Sequence, residues 1–149
     1  MRGIVIFLLV AIGTFLIDQG IKSIFLEGYY RPGDCIDLVL HCNKGVAFSL
    51  FAFLGPYLKW IQVLLIIGIL VFVIKEGYLK RYAFPVGLVI GGAFGNLYDR
   101  FVQECVVDYV AWHCGFEFAV FNYADVAIDV GIAWMLIMIY FFSNKSEAK

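Results

Sequence analysis

Four stretches of the chain stay apolar for about the 20 residues of helix needed to cross the roughly 30 Å hydrocarbon layer of a bilayer. They cover residues 4–24, 57–74, 82–97 and 124–142. The second reads as wall, with no polar side chain anywhere in 63–74. In the third, Gly87, Gly91 and Gly95 recur every fourth residue along one face, where another helix, a lipid or a substrate chain can approach closely. Between these windows the pattern changes. Residues 27–56 are punctuated by Gly28, Pro32, Gly33, Asp34 and Asn43 around β-favouring pieces such as 35–40, and residues 100–121 carry a strand over 105–112. Both segments read as outer loops. The fourth window begins with Asn122 in position to cap a helix and Asp125 three residues later, the spacing of a capping box.

Composition agrees with a membrane protein and charge gives it an orientation. Of 149 residues, 63% are hydrophobic and 15% charged, too apolar a balance for a soluble domain of this length. A net charge of −1 leaves no basic footprint for nucleic acid. The first window follows Arg2 but ends in no small-x-small cleavage site, so it reads as a retained helix. With four spans, Arg2, Lys75, Lys80, Arg81, Lys145 and Lys149 share one side, while Lys22, Arg31, Lys44, Lys59 and Arg100 share the other. Three of the first group crowd the short connection 75–81, where positive charge acts most strongly on topology, so both termini are expected in the cytoplasm. Ten of the twelve acidic residues then fall near or beyond the outer surface.

Two of those acids are out of character with their surroundings. Asp108 interrupts Val106-Val107-Asp108-Tyr109-Val110, and Asp125 opens the last apolar window. An ionised carboxylate in apolar surroundings is costly unless paired, hydrogen-bonded or neutralised, so two near one membrane surface point to a site where they share protons. Helix capping accounts for Asp125 alone but leaves Asp108 unexplained. Asp18 and Lys22 lie four apart with the acid first, the favourable order for a helical ion pair. An interfacial anchor, with Lys22 reaching outward, is the plainer account of that pair.

At these residues the chain resembles the lipoprotein signal peptidases, the signal peptidase II family of bacterial inner membranes. Five pieces carry the resemblance in register: Asp18-Gln19 with Lys22; Asn43-x-Gly45-x-Ala47-Phe48-Ser49; Gly91-Gly92-Ala93-x-Gly95-Asn96-x-x-Asp99-Arg100; Val106-Val107-Asp108; and Phe121-Asn122-x-Ala124-Asp125-x-x-Ile128-x-x-Gly131. The resemblance implies a single α-helical integral membrane domain over 1–149, with four transmembrane helices, a small extracytoplasmic β-sheet cradle and a short surface helix. It implies an aspartyl endopeptidase that cuts diacylglyceryl-modified prolipoproteins before the lipidated cysteine, with Asp108 and Asp125 as the catalytic dyad. Asp18, Lys22, Asn43, Gly45, Asn96, Arg100 and Asn122 take the supporting positions. Asn96 and Asn122 are expected to hold the carboxylates, Asn43 the substrate backbone, and Arg100 a lipid phosphate or Asn96. The expected partners are prolipoprotein and membrane lipid, with no nucleic acid, metal or cofactor, and the chain acting as a monomer. Val46 and Asp129 depart from the family pattern. Asp129, one turn from Asp125, should be protonated, paired with a cation or turned away.

Cysteine supplies the main alternative. Cys35, Cys42, Cys105 and Cys114 all fall on the outer side, as in four-helix membrane thiol oxidases, but no Cys-x-x-Cys pair is present. Structural disulfides in an oxidising compartment are the plainer reading, with three pairings possible. His41-Cys42 and His113-Cys114 lack the usual zinc-ligand spacings. A small transporter would carry its charges deep in the spans, whereas these cluster at one surface.

Overall fold

The computed structural model describes residues 2–45, 52–55 and 57–147. Four long helices, α1 (Arg2–Leu26), α2 (Tyr57–Lys75), α3 (Leu79–Val102) and α4 (Tyr123–Glu147), are joined by a two-stranded antiparallel sheet of β1 (Ile36–Asn43) and β2 (Val106–Trp112). A single 3-10 turn, Ala52–Leu54, precedes α2. Each helix runs past its sequence-derived window, and α3 continues to Val102. Val46 and Phe48 of the quoted motif lie outside the described residues, and Phe53 is exposed.

Among the described residues, α1, α2 and Tyr123–Phe141 of α4 are long and apolar enough to cross a membrane. α3 is as long but differs in kind. It packs against both α1 and α4 and carries Asn96, Asp99 and Arg100 at its C-terminal end, so much of its surface meets protein. Its first turn is broken at Tyr82 (φ −112°, ψ 20°), three residues before Pro85. The position fits the restriction that a proline imposes on the helix preceding it.

Glycine explains how α3 accepts two neighbours at once. A Cβ at Gly87 would meet Val10 Cβ at 2.8 Å, and one at Gly91 would meet the Ala11 carbonyl oxygen at 2.5 Å. At Gly95 it would strike the Asp18 carboxylate. The glycine face therefore seats α1, so a helix is what approaches closely along it. The α4 contact uses different positions. Gly92 lies under the Ala124 carbonyl, where a Cβ would come within 2.6 Å, and Gly131 lies over the Pro85 carbonyl, at 2.7 Å.

The sheet changes register midway. Ile36, Asp37 and Leu38 oppose Trp112, Ala111 and Val110, whereas His41, Cys42 and Asn43 oppose Asp108, Val107 and Val106. β1 thus holds one extra residue between Leu38 and His41, a bulge. Directly opposed residues share a face of an antiparallel pair, so the bulge sets which side chains of β1 accompany Asp108. With it, Asn43 joins Val106 and Asp108 on one face. Without it, Asn43 would oppose Cys105 and point the other way. Disulfides Cys35–Cys114 and Cys42–Cys105 flank the bulge, and fix one of the three possible pairings.

Candidate active site

The site assembles at the N-terminus of α4, where the sheet, α1 and α3 converge. The segment entering α4 lies along β2: Val110 N–H donates to Phe121 O (2.9 Å), and Phe121 N–H donates to Val110 O (3.1 Å). Asn122 is thereby brought beside Asp108. A helix start leaves its first four N–H groups without intrahelical acceptors, and here each finds one. The Asn122 N–H donates to Asp125 Oδ2 (3.1 Å) and the Asp125 N–H to Asn122 Oδ1 (3.0 Å), completing the capping box read from the spacing. Tyr123 N–H donates to the Tyr109 hydroxyl of β2 (2.9 Å), and Ala124 N–H to Asp18 Oδ1 of α1 (3.1 Å). Tyr109 is held from its other side by ring stacking on Phe25, with centroids 4.3 Å apart.

Asp108 and Asp125 meet around Asn122. Asp108 accepts Asn43 Nδ2 on Oδ2 (3.0 Å) and Asn122 Nδ2 on Oδ1 (2.7 Å). Asp125 accepts Asn96 Nδ2 on Oδ1 (2.8 Å) and the Asn122 N–H on Oδ2. Each of the four carboxylate oxygens thus faces one nitrogen donor. Asn122 Nδ2 also reaches Asn96 Oδ1 at 3.0 Å, closing a ring of amides around the two acids. Asp108 and Asn122 are almost wholly enclosed, while Asp125 is half-buried. Burial pushes the Asp108 carboxyl up to about 7; the Asn43 and Asn122 amides and the Lys22 charge oppose the shift, and the Asp125 charge adds to it. Tyr109 is pushed up to about 12, again mainly by burial, and stays a neutral phenol.

A second buried cluster supports the first from below. Lys22 Nζ lies 2.7 Å from Asp18 Oδ2, 2.7 Å from Asp99 Oδ2 and 3.0 Å from Asn96 Oδ1, which occupies all three ammonium donors. Lys22 is 1% exposed, so the interfacial-anchor account of this residue does not hold. Asp99, quoted in the motif but given no role from the sequence, also accepts Gln19 Nε2 (3.0 Å) and the Val107 N–H (3.1 Å), tying α3 to α1 and β2. Its signal was position: it stands three residues after Asn96, one helical turn along the same face. Among the described residues, no buried side-chain nitrogen or oxygen lacks a partner.

Other expectations fare differently. Arg100 donates from Nε to Gln62 Oε1 (3.1 Å) and from Nη2 to the Gly45 carbonyl (2.5 Å), whereas Asn96 is held by Lys22, Asn122 and Asp125. Gln62 also donates to Ala93 O (3.0 Å), so α2 is more than wall. Asn43, expected on substrate backbone, holds Asp108 here and accepts the Gly45 N–H on Oδ1 (2.9 Å). Asp129 is exposed. All four cysteines are consumed in disulfides, and His113 Nε2 lies 3.5 Å from Asp37 Oδ1. Neither His-Cys dipeptide therefore offers a thiolate.

Residues 10–142 match the family described as Signal peptidase (SPase) II. The lipoprotein signal peptidase of Sulfurovum sp. (strain NBC37-1) is 74% identical over 146 residues, covering 98% of this chain and all of that protein. That of Helicobacter pylori (strain P12) is 48% identical over 145 residues, covering 94% of this chain and 92% of the relative. A solved bacterial membrane enzyme, obtained by the in meso method, shares the fold with a TM-score of 0.78 and 24% identity, over 96% of this chain and 91% of its own. These matches favour the peptidase over the thiol oxidase. The chain is a multi-pass membrane protein that belongs to the signal peptidase II family.

Proposed function

We propose that this chain removes signal peptides from diacylglyceryl-modified prolipoproteins in the bacterial inner membrane, cutting before the lipidated cysteine with water activated by Asp108 and Asp125. The observation that carries the reading is the shared ring of amides: two carboxylates distant in sequence are held around one asparagine, with donors fixed on all four oxygens. Two acids in such proximity cannot both ionise easily, so the pair keeps one proton at neutral pH. The ionised partner takes a proton from water, which attacks the scissile carbonyl. The protonated partner stabilises the oxyanion, and the pair then protonates the leaving nitrogen. Which aspartate begins as the acid is a property of the pair.

Asn122 and Asn96 hold the dyad, Lys22 with Asp18 supports Asn96, and Asn43 and Gly45 form the strand end over which substrate backbone passes. Arg100 orients Gly45 and serves a lipid phosphate at the outer surface. α3 is the fourth crossing, its polar face sheltered by α1 and α4, in a single domain spanning residues 1–149. Both termini are cytoplasmic, the site lies at the outer leaflet and the chain works as a monomer. The test uses purified protein with a diacylglyceryl-modified precursor beside its unlipidated form. Cleavage of the lipidated precursor alone is the expected outcome, lost in Asp108→Asn and in Asp125→Asn. Near-normal turnover by either variant removes the dyad.

A further inference from the structure

The geometry points to the Cys42–Cys105 disulfide as a positioning element of the peptidase centre: it locks the strand register beyond the β1 bulge, and that register keeps the Asn43 amide on Asp108. The inference rests on the dyad reading above.

Cys42 opposes Val107, so its side chain lies on the face away from Asn43 and Asp108. Cys105, two residues before Val107, lies on that same back face. The bond thus crosses directly behind the Asn43–Val106 pair, one residue from each. Asn43 is the last residue of β1, and a strand end in a two-stranded sheet frays readily. A slip of one residue here undoes the bulge, turns Asn43 to the opposite face and removes its amide from Asp108. The bond between residues 63 apart in the chain forbids that slip. Cys35–Cys114 sits beyond the Ile36–Trp112 pair, on the other side of the bulge. It fixes the earlier register and leaves the later one untouched, which makes it an internal control.

Cys105 is buried and Cys42 exposed, so a reductant meets the bond from the Cys42 side. An external dithiol would pass two electrons and two protons to the protein sulfurs, leaving two cysteine thiols and a cyclic disulfide of the reductant. The centre then has its acids but not its fixed strand end.

The experiment compares the full chain carrying Cys42→Ser and Cys105→Ser with one carrying Cys35→Ser and Cys114→Ser, on the diacylglyceryl-modified precursor. The first should lose about 10- to 100-fold in kcat with little change in KM, the size of effect that misplacement by about 1 Å produces. Its rate profile should also extend to higher pH, because Asp108, which faces Asp125 of α4, Lys22 of α1 and Arg100 of α3, loses the amide that favours its ionised form. The second should match wild type in both. Reversible reduction of the Cys35→Ser, Cys114→Ser protein, whose one remaining bond is Cys42–Cys105, should reproduce the kcat loss and restore activity on reoxidation. Wild-type kcat and pH profile in the first variant would overturn the inference, as would equal losses in both variants or loss of helical circular dichroism on reduction. Asp108→Asn assayed alongside separates the two readings. If it cleaves normally, the dyad falls; if it is inactive while the Cys42→Ser, Cys105→Ser protein is normal, only the positioning role falls.

Discussion

Replacing Asp108 by asparagine should abolish cleavage and also change the sign of its effect on stability between acid and neutral pH. Burial lifts the carboxyl from 3.8 to about 7 in the folded protein, roughly three units, and each unit corresponds to about 1.4 kcal/mol between protonation states. Because the folded state holds the proton more tightly, the contribution is fully present below about pH 4 and is lost as pH rises through about 7. Wild type should therefore lose up to about 4 kcal/mol across that window. The asparagine cannot titrate, so this slope disappears. It carries a fixed cost instead, since its own NH2 must face the Nδ2 of Asn43 or of Asn122, an unmet buried donor worth about 1–3 kcal/mol. The variant should thus be the less stable protein at about pH 4 and equal to or more stable than wild type above about pH 7. Reversible unfolding in mixed micelles, followed by circular dichroism at several pH values, reads this directly. Parallel stability curves for the two proteins would refute the reasoning, because they would mean that Asp108 is not penalised when charged.

Asn122→Ala removes the side chain shared by both carboxylates and the cap of α4, and should lower kcat by about 10²- to 10⁴-fold with a stability loss of about 1 kcal/mol, read by precursor cleavage and unfolding. Lys22→Met leaves Asp18 and Asp99 buried without a cation and should cost about 3–5 kcal/mol; adding Asp99→Asn should recover part of it. Gly91→Ala forces α1 and α3 apart and should destabilise by about 1–3 kcal/mol, whereas Gly68→Ala, with no atom within 4 Å of its added Cβ, should be neutral or slightly stabilising. Cleavage should be unchanged by a strong chelator, and inhibition reversed by added zinc would argue against a chemistry carried by two carboxylates alone.

The acids were legible because each offends its surroundings: Asp108 breaks an apolar run, and Asp125 sits at capping-box spacing from Asn122. The Asp18–Lys22 contact was legible for a similar reason, since residues four apart on a helix must be neighbours. What could not be read is which faces meet. Periodicity marks Gly87, Gly91 and Gly95 as a close-approach face but does not name its partner, and that partner is α1. The roles of Asp99 and Gln62 stayed hidden because their partners lie on other elements, which position along one helix does not name. The bulge in β1 was equally silent. A single extra residue decides whether Asn43 stands with Asp108, and it is set by where the flanking segments are anchored.

The buried ammonium of Lys22 also constrains how the protein is made. Its acceptor Asn96 lies 74 residues further along the chain. As synthesis proceeds from the N-terminus, the first helix must enter lipid before the third exists, and an isolated charge in that setting is expensive. The pairing of Asp18 with Lys22 within the same helix cancels the charge beyond Arg2, so that first segment is able to wait in the bilayer until its later partners arrive.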